Sequence, residues 1–448
     1  MSKEAEPLHI ATDFPPVSTA DWEATIIADL KGADYQKKLV WKTEEGLAVK
    51  PYYRAEDAPG TFPARRTTAG WEILDTKAPA GVVDGSKFHE AGATAVQELA
   101  YTLAEASEQL AAGKPVAGLQ FGVGSNYFFE IAKLRAARLL AKAVYAAYGK
   151  KDEPKLYSAT ALANKSIYDP YTNLLRVTTE TLSAVLGGAD AVYTQPAAFP
   201  ARIAHNVQLV IKEEAHLDKV ADPAGGSYYV EALTTALAQA AWKLFQEVEA
   251  AGGFAAASAS ITAALGESRA AKEKAIASRR RVMVGVNNYP DINEQELANA
   301  DALAGAEWRM AAAIEAIRLR TERYAKKTGK TPKVLLLKRG DLKMRMARAQ
   351  FTQNFFGCAG FAIEESEEYA GTDAALIVLC SSDAEYTALA QEVCPKVKVP
   401  VVVAGNPKEQ IAELQAAGVA GFVHVFSNMV ETLSEWQTKL GIGGKEQK

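Results

Sequence analysis

Five short apolar runs near the carboxyl end constrain the fold of this chain more than any other feature. They read PKVLLL, GFAIEE, AALIVLC, VPVVVAG and AGFVHVF, and all lie within residues 331–448. Each is followed by a helical stretch. Repeated strand–helix units build a parallel sheet, because a parallel neighbour is reached only through a crossover. Five units of this size predict a flavodoxin-like sheet of order 2-1-3-4-5. Its ligand crevice would lie beyond the carboxyl ends of the strands, lined by the loops after Lys338, Cys380 and Gly405.

The same alternation fills residues 61–286, so the whole chain is of the α/β class. Strands are expected near 71–74, 118–122, 155–159, 189–194 and 282–286. Helices are expected near 91–112, 126–148, 171–186, 201–214 and 228–250. Alternation alone leaves a barrel and an open sheet as alternatives. Residues 287–329, rich in Ala, Glu and Arg, read as a helical linker. Residues 1–60 read as an extended arm with a short helix near 21–30 that would turn Trp22, Ile27 and Leu30 inward. Trp41, Tyr52 and Tyr53 imply packing of the arm against some surface.

The most demanding helix lies in GVGSNYFFEIAKLRAARLLAK, residues 122–142. Asn126 is a fitting helix start. A helical period puts Tyr127, Ile131, Leu134, Arg138 and Ala141 on one face, with Glu130 and Arg135 at its edges. Charges on such a face need ionic or hydrogen-bonded partners inside the fold. The expectation is a core helix with a paired arginine.

The formal net charge of −4 comes without a basic block, which argues against nucleic acid as a partner. No apolar run is long enough to cross a bilayer. The start, MSKEAEPLHI, resembles neither a secretory signal nor a transit peptide. Cys358, Cys380 and Cys394 are few and far apart, so free thiols in a reducing cytoplasm are expected. His89, His205 and His216 share no metal spacing and are expected as surface or satisfied helix residues. Arg279, Arg280 and Arg281 read as a solvated or salt-bridged face. The run from Asp222 to Ser227 reads as a structural loop with a Ser N-cap.

Several stretches resemble the methylmalonyl-CoA mutase family. They include the FFEIAKLRAAR helix, VVDGSKFHEAGATAVQELAYTLAE, YDPYTNLLRVTTETLSAVLGGADAVYT, FPARIAHNVQLVIKEEAHLDKVADPAGGSYYVEALT and GVNNYP. LKGADYQKKLVWKTEEGLAVKPYYRAED resembles the family's arm, which wraps a partner subunit. The resemblance implies a (β/α) barrel in the first half. An eight-stranded barrel needs roughly 200–250 residues. The first several units of the family appear missing between Trp71 and Val83, so an incomplete barrel is expected.

In the family, Asp-x-His-x-x-Gly follows the first strand of the last domain. An imidazole must reach cobalt, the Asp orients it, and the Gly lets backbone approach the corrin. Aligned on Lys-x-Gly, LLLKRGDLKMRMARAQ places Leu342, Met344 and Ala347 at those positions. A thioether is a poor replacement, and Met344 is expected to pack as a helical methionine. Ser381 and Ser382 match the family's Ser-Ser, which contacts the cobalamin tail, and Gly405 is what remains of a glycine pair. His424, inside the fifth strand, is expected as a packed histidine. In the barrel, the family's thioester-holding His corresponds to Tyr193 and its carboxylate-clamping Arg to Lys155. Tyr193 can donate a hydrogen bond but stays neutral, and Lys155 lacks the bidentate fork. The resemblance therefore implies a small, non-catalytic subunit with no catalytic or metal-binding residues of its own. Adenosylcobalamin would be bound by a large catalytic partner in a heterodimer. An active acyl-CoA mutase and a non-enzymatic assembly module remain the alternatives.

Overall fold

The computed structural model describes residues 10–58, 68–298, 303 and 306–443. The first nine residues and the junction at 59–67 lie outside that description, and with them the reading of the chain's start and of the end of the arm. Two five-stranded parallel sheets dominate the rest.

The first sheet holds β1 (Glu72–Leu74), β2 (Val82–Asp84), β3 (Gly118–Val123), β4 (Lys155–Thr160) and β5 (Ala191–Tyr193). Their order is β1-β5-β4-β3-β2, with every pair parallel. In a closed β/α barrel the first strand lies beside the last. That neighbour relation survives here, while β1 and β2 are the two free edges. The sheet is thus barrel-like but open between its first two strands, where the family's missing units were expected. Residues 75–81 return across the gap, and Ala78 N donates to Gln120 Oε1 on β3 at 2.9 Å. Both edge strands are short, which limits edge-to-edge pairing.

Helices α1 (Ala95–Ala111), α2 (Tyr127–Ala147), α3 (Pro170–Leu186), α4 (Ala201–Leu209), α5 (Tyr228–Ala250) and α6 (Ser258–Ala277) surround this sheet. Thr94 and Gln97 form a capping box at the start of α1. Asp169 caps α3 and Pro170 fills its first position, where a missing N–H costs nothing. Leu119, Phe121 and Val123, alternate residues of β3, join the helices in one core.

Three expectations need correction. Residues 282–286 do not form a strand but a loop with one isolated bridge, Val284 to Asn288. Asn287 dictates this: its Oδ1 accepts from Met283 N at 2.7 Å, and its Nδ2 donates to Ile276 O and Arg281 O. Among the described residues of the linker the one α-helix is α7 (Ala312–Thr328). In the arm, the helix Thr19–Asp29 buries no residue, with Trp22 48% and Ile27 54% exposed. Trp22 stacks instead on Tyr52, with ring centroids 5.5 Å apart.

The second sheet holds β6 (Lys333–Lys338), β7 (Ala362–Ser366), β8 (Leu376–Cys380), β9 (Val401–Ala404) and β10 (Val419–Val423). Their order, β10-β9-β8-β6-β7, is the expected 2-1-3-4-5. Helices α8 (Leu342–Gly357), α9 (Tyr386–Val393), α10 (Ile411–Ala416) and α11 (Met429–Lys439) follow β6, β8, β9 and β10, while β7 passes to β8 through the loop 367–375, which corrects the expectation of a helix after every strand. Val334 and Leu336 enter one core cluster while Leu335 and Leu337 enter another. A central strand covered on both faces reads as a continuous apolar run, which is why LLL was legible.

Candidate functional site

Beyond the carboxyl ends of β2, β3 and β4 lies a cavity of about 590 Å³. His89 enters it from the short helix Ser86–Glu90, Ser125 from the turn after β3, Glu130 from the first turn of α2, and Asn164 from the loop after β4. Lys272 and Arg281, from α6 and the loop behind it, close the far side. The mouth of a β/α sheet is where loops from several strands converge, so chemistry concentrates there.

A buried charge network forms its floor. Glu98 is fully buried on α1, and its Oε1 accepts from Gly122 N at 2.6 Å. Its Oε2 accepts from Lys133 Nζ at 2.6 Å and lies 3.2 Å from His89 Nδ1. Lys133 Nζ also donates to Gly122 O at 2.6 Å and pairs with Glu130 at 2.5 Å. Gly122 and Gly124 make room for the imidazole: a Cβ on Gly122 would stand 2.6 Å from His89 Cβ, and one on Gly124 2.9 Å from Nε2. With Nδ1 directed at a carboxylate, the ring presents Nε2 beside Gly124.

Burial pushes the Glu98 carboxyl up, but Lys133 and His89 outweigh it and hold the group below its ordinary value. Burial pushes Lys133 down, and Glu130 with Glu98 reverses that, holding the ammonium above its ordinary value. The consequence for pH is signed. As pH falls, the unfolded carboxyl takes up its proton first, near about 4.3, and the folded one only below that. Stability from Glu98 is therefore full above the unfolded value and lost as pH drops through the folded one. Urea midpoints between pH 5 and pH 3 should fall more steeply for the natural chain than for Glu98→Gln. Equal slopes would show that Glu98 is not a titrating element of the floor.

The arm forms one wall. Its hairpin pairs Trp41–Lys42 with Ala48–Val49. Trp41 meets Phe129 edge-on, with centroids 5.6 Å apart, and Val49 is buried in the core. Glu44 pairs with Arg281 at 3.1 Å, and Glu45 Oε2 accepts from Val96 N at 3.3 Å at the start of α1. Burial raises the Glu45 carboxyl above its ordinary value. The Trp41 to Tyr53 part of the arm thus packs on its own sheet, and Tyr53 meets Tyr229 at 5.0 Å. Phe14, Val17, Trp22 and Ile27 remain exposed ahead of it.

On the second sheet, Asp341 caps α8 by accepting from Met344 N at 2.8 Å. Leu342 and Ala347 are exposed and Met344 is half-buried on the first turns of α8. Ser381 is buried and Ser382 half-buried after β8. Both hydroxyls donate to Glu385 Oε2, at 2.8 and 2.5 Å. Gly405 N donates to Val423 O at 2.8 Å. His424 lies one residue past β10 rather than within it, and its Nδ1 accepts from Phe426 N at 3.2 Å. Burial and Arg348 lower its pKa. Among the described residues no group of three or more His, Cys, Asp or Glu could hold a metal ion.

A family model described as Methylmalonyl-CoA mutase matches residues 77–335, more than half of the chain. The chain belongs to the methylmalonyl-CoA mutase family. Among its relatives, the "Methylmalonyl-CoA mutase small subunit" of Porphyromonas gingivalis is 33% identical, over 99% of this chain and 100% of that one. The "Probable methylmalonyl-CoA mutase small subunit" of Mycobacterium bovis is 34% identical, over 80% of this chain and 64% of its own length. The "Methylmalonyl-CoA mutase" of Cereibacter sphaeroides is 41% identical, over 46% of this chain and 33% of its own. The alignment with the Porphyromonas protein runs over 625 positions against 448 residues here, so long gaps fall on this side. A mutase-family barrel opened between β1 and β2 agrees with such gaps.

The two mutase-family positions in the barrel are not brought together. Tyr193 ends β5 at the mouth, half-buried, with its phenol pushed up by burial and Asp75. Lys155 begins β4 at the opposite end and pairs with Glu72. Since Tyr193 is in register with Ala159, Lys155 sits four residues, about 13 Å, back toward the amino ends of the strands. Sequence reasoning passed over Glu98 and Lys133 as site residues and treated His89 as an ordinary helix histidine. A signal was present in Glu130-x-x-Lys133, an ion pair at helical spacing among the apolar residues of the first turns of α2. His205 is elsewhere, 2.9 Å from Asp75.

Proposed function

We propose that this chain is the small, non-catalytic subunit of an adenosylcobalamin-dependent methylmalonyl-CoA mutase. A large catalytic subunit would hold the coenzyme and interconvert (R)-methylmalonyl-CoA and succinyl-CoA, a reaction of propionate metabolism in the cytoplasm. This chain would bind that subunit as a heterodimer. The observation that carries the reading is the start of α8, where Met344 stands at the cobalt-facing position between Leu342 and Ala347. No imidazole is offered there, and His424 commits Nδ1 to its own turn. The residues present do not fit a corrinoid: the axial donor is replaced, and the serine pair is already bonded to Glu385. The names of the most fully covered relatives support the same role. No helix among the described residues is long and apolar enough to cross a membrane.

The test is co-purification from the native host, followed by absorbance and turnover. The chain should emerge in equal amount with a larger mutase chain. Alone, incubated with cobalamin and passed through gel filtration, it should show no corrin spectrum. An isolated chain that isomerised a branched acyl thioester with added coenzyme would end the proposal.

A further inference from the structure

The loops after β6 and β8 meet where the strand order reverses, the place at which such a sheet takes a ligand. Four donors converge there on one atom. Glu385 Oε2 lies 2.8 Å from Ser381 Oγ, whose one proton it shares with Arg339 O at the same distance, and accepts from Ser382 Oγ at 2.5 Å, Ser382 N at 3.3 Å and Asp341 N at 3.2 Å. Gly340 adopts a left-handed φ of 74°, and a Cβ on it would overlap the Glu385 carboxylate. The loop after β6 is therefore shaped around that carboxylate. Ser382 and Glu385 by themselves make an ordinary capping box. Ser381 Oγ and Asp341 N lie outside that motif, and Asp341 belongs to the other loop. Hydroxyl and backbone donors drawn from two loops around one negative charge are what a bound oxyanion receives.

We propose that Glu385 is a built-in anion that fills the switch-point cradle of the second sheet and keeps a phosphate-bearing ligand out. The proposal rests on the reading that this sheet carries no cofactor of its own, and it names the group that shuts the seat. Hydrogen bonds from Ser382, Ser381 and Asp341 hold the carboxyl down to about 2. The cradle is thus filled by charge throughout the range in which proteins are normally handled, and pH does not open it.

The experiment uses the full chain and inorganic phosphate as the probe, with chloride at equal ionic strength as the control. Binding is read from the phosphorus-31 line width and from the shift in melting temperature. The natural chain should be silent. Glu385→Ala should bind phosphate at least about tenfold more tightly than the natural chain. Glu385→Gln keeps an acceptor oxygen in the cradle and should stay silent. A natural chain that bound phosphate as tightly as Glu385→Ala would overturn the proposal. So would a folded Glu385→Ala variant that did not respond. If that variant failed to fold, Glu385→Ser would serve the same comparison. A corrin spectrum on the natural chain would sink the cofactor-free reading and leave the phosphate comparison to be judged separately.

Discussion

Lys133→Met should destabilise the chain by about 3–5 kcal/mol, the usual consequence of removing one partner from a buried ion cluster. Lys133 is fully buried, and its ammonium is shared by Glu98, Glu130 and Gly122 O. Methionine matches its volume closely, so the loss is electrostatic rather than a cavity. Two carboxylates would be left in the floor with His89, the more distant Lys272 and backbone N–H groups to oppose them. At least one would then take up a proton near neutral pH, because burial penalises the charged form. Urea unfolding at pH 7 measures the loss, and repeating it at pH 5 should recover part of it. A loss below about 1 kcal/mol, the range of exposed pairs, would mean that water already reaches the floor.

Arg135→Met should be of similar size, again about 3–5 kcal/mol, but with a different local signature. Arg135 is fully buried on α2 and joins Asp222, in the loop ahead of α5, to Glu231 on α5, the latter at 2.5 Å. Glu231 Oε1 also accepts from Gly226 N at 3.1 Å. The guanidinium therefore pins the 222–227 loop against the helix that organises the sheet. Without it, two carboxylates repel across that loop, which should open first. Limited proteolysis should cut the variant between 222 and 227 under conditions that leave the natural chain intact. A global loss of stability with an unchanged cleavage pattern would show that the loop is held by something else.

The second sheet was readable because its central strands, β6, β8 and β9, are buried on both faces and announce themselves as apolar runs. The charged helix was equally readable. Arg138 does find a partner, donating to Asp190 at 2.8 Å, as charges on a packed face require. The loop from Asp222 to Ser227 is structural as expected, although Ser227 makes no side-chain cap bond. The run VMVGV at 282–286 misled, because β-branched residues only favour a pleated surface and do not create one. Gly285 at a φ of 79° and the three bonds of Asn287 turn it into a loop. β2 was not expected, because Val82 and Val83 are followed at once by Asp84 and make only a two-residue apolar run.

What the sequence determined by itself was local and categorical: the α/β class, the strands of the second sheet, and the methionine at position 344. These depend on which residues occur and at what short spacing. Only the tertiary structure decided where the arm lies, which carboxylates gather around Lys133, and that Glu385 fills the seat between two loops. Each of those joins atoms from segments far apart in the chain or across a turn. Their free energies come from burial and charge pairing in a shared low-dielectric space, which no linear pattern records.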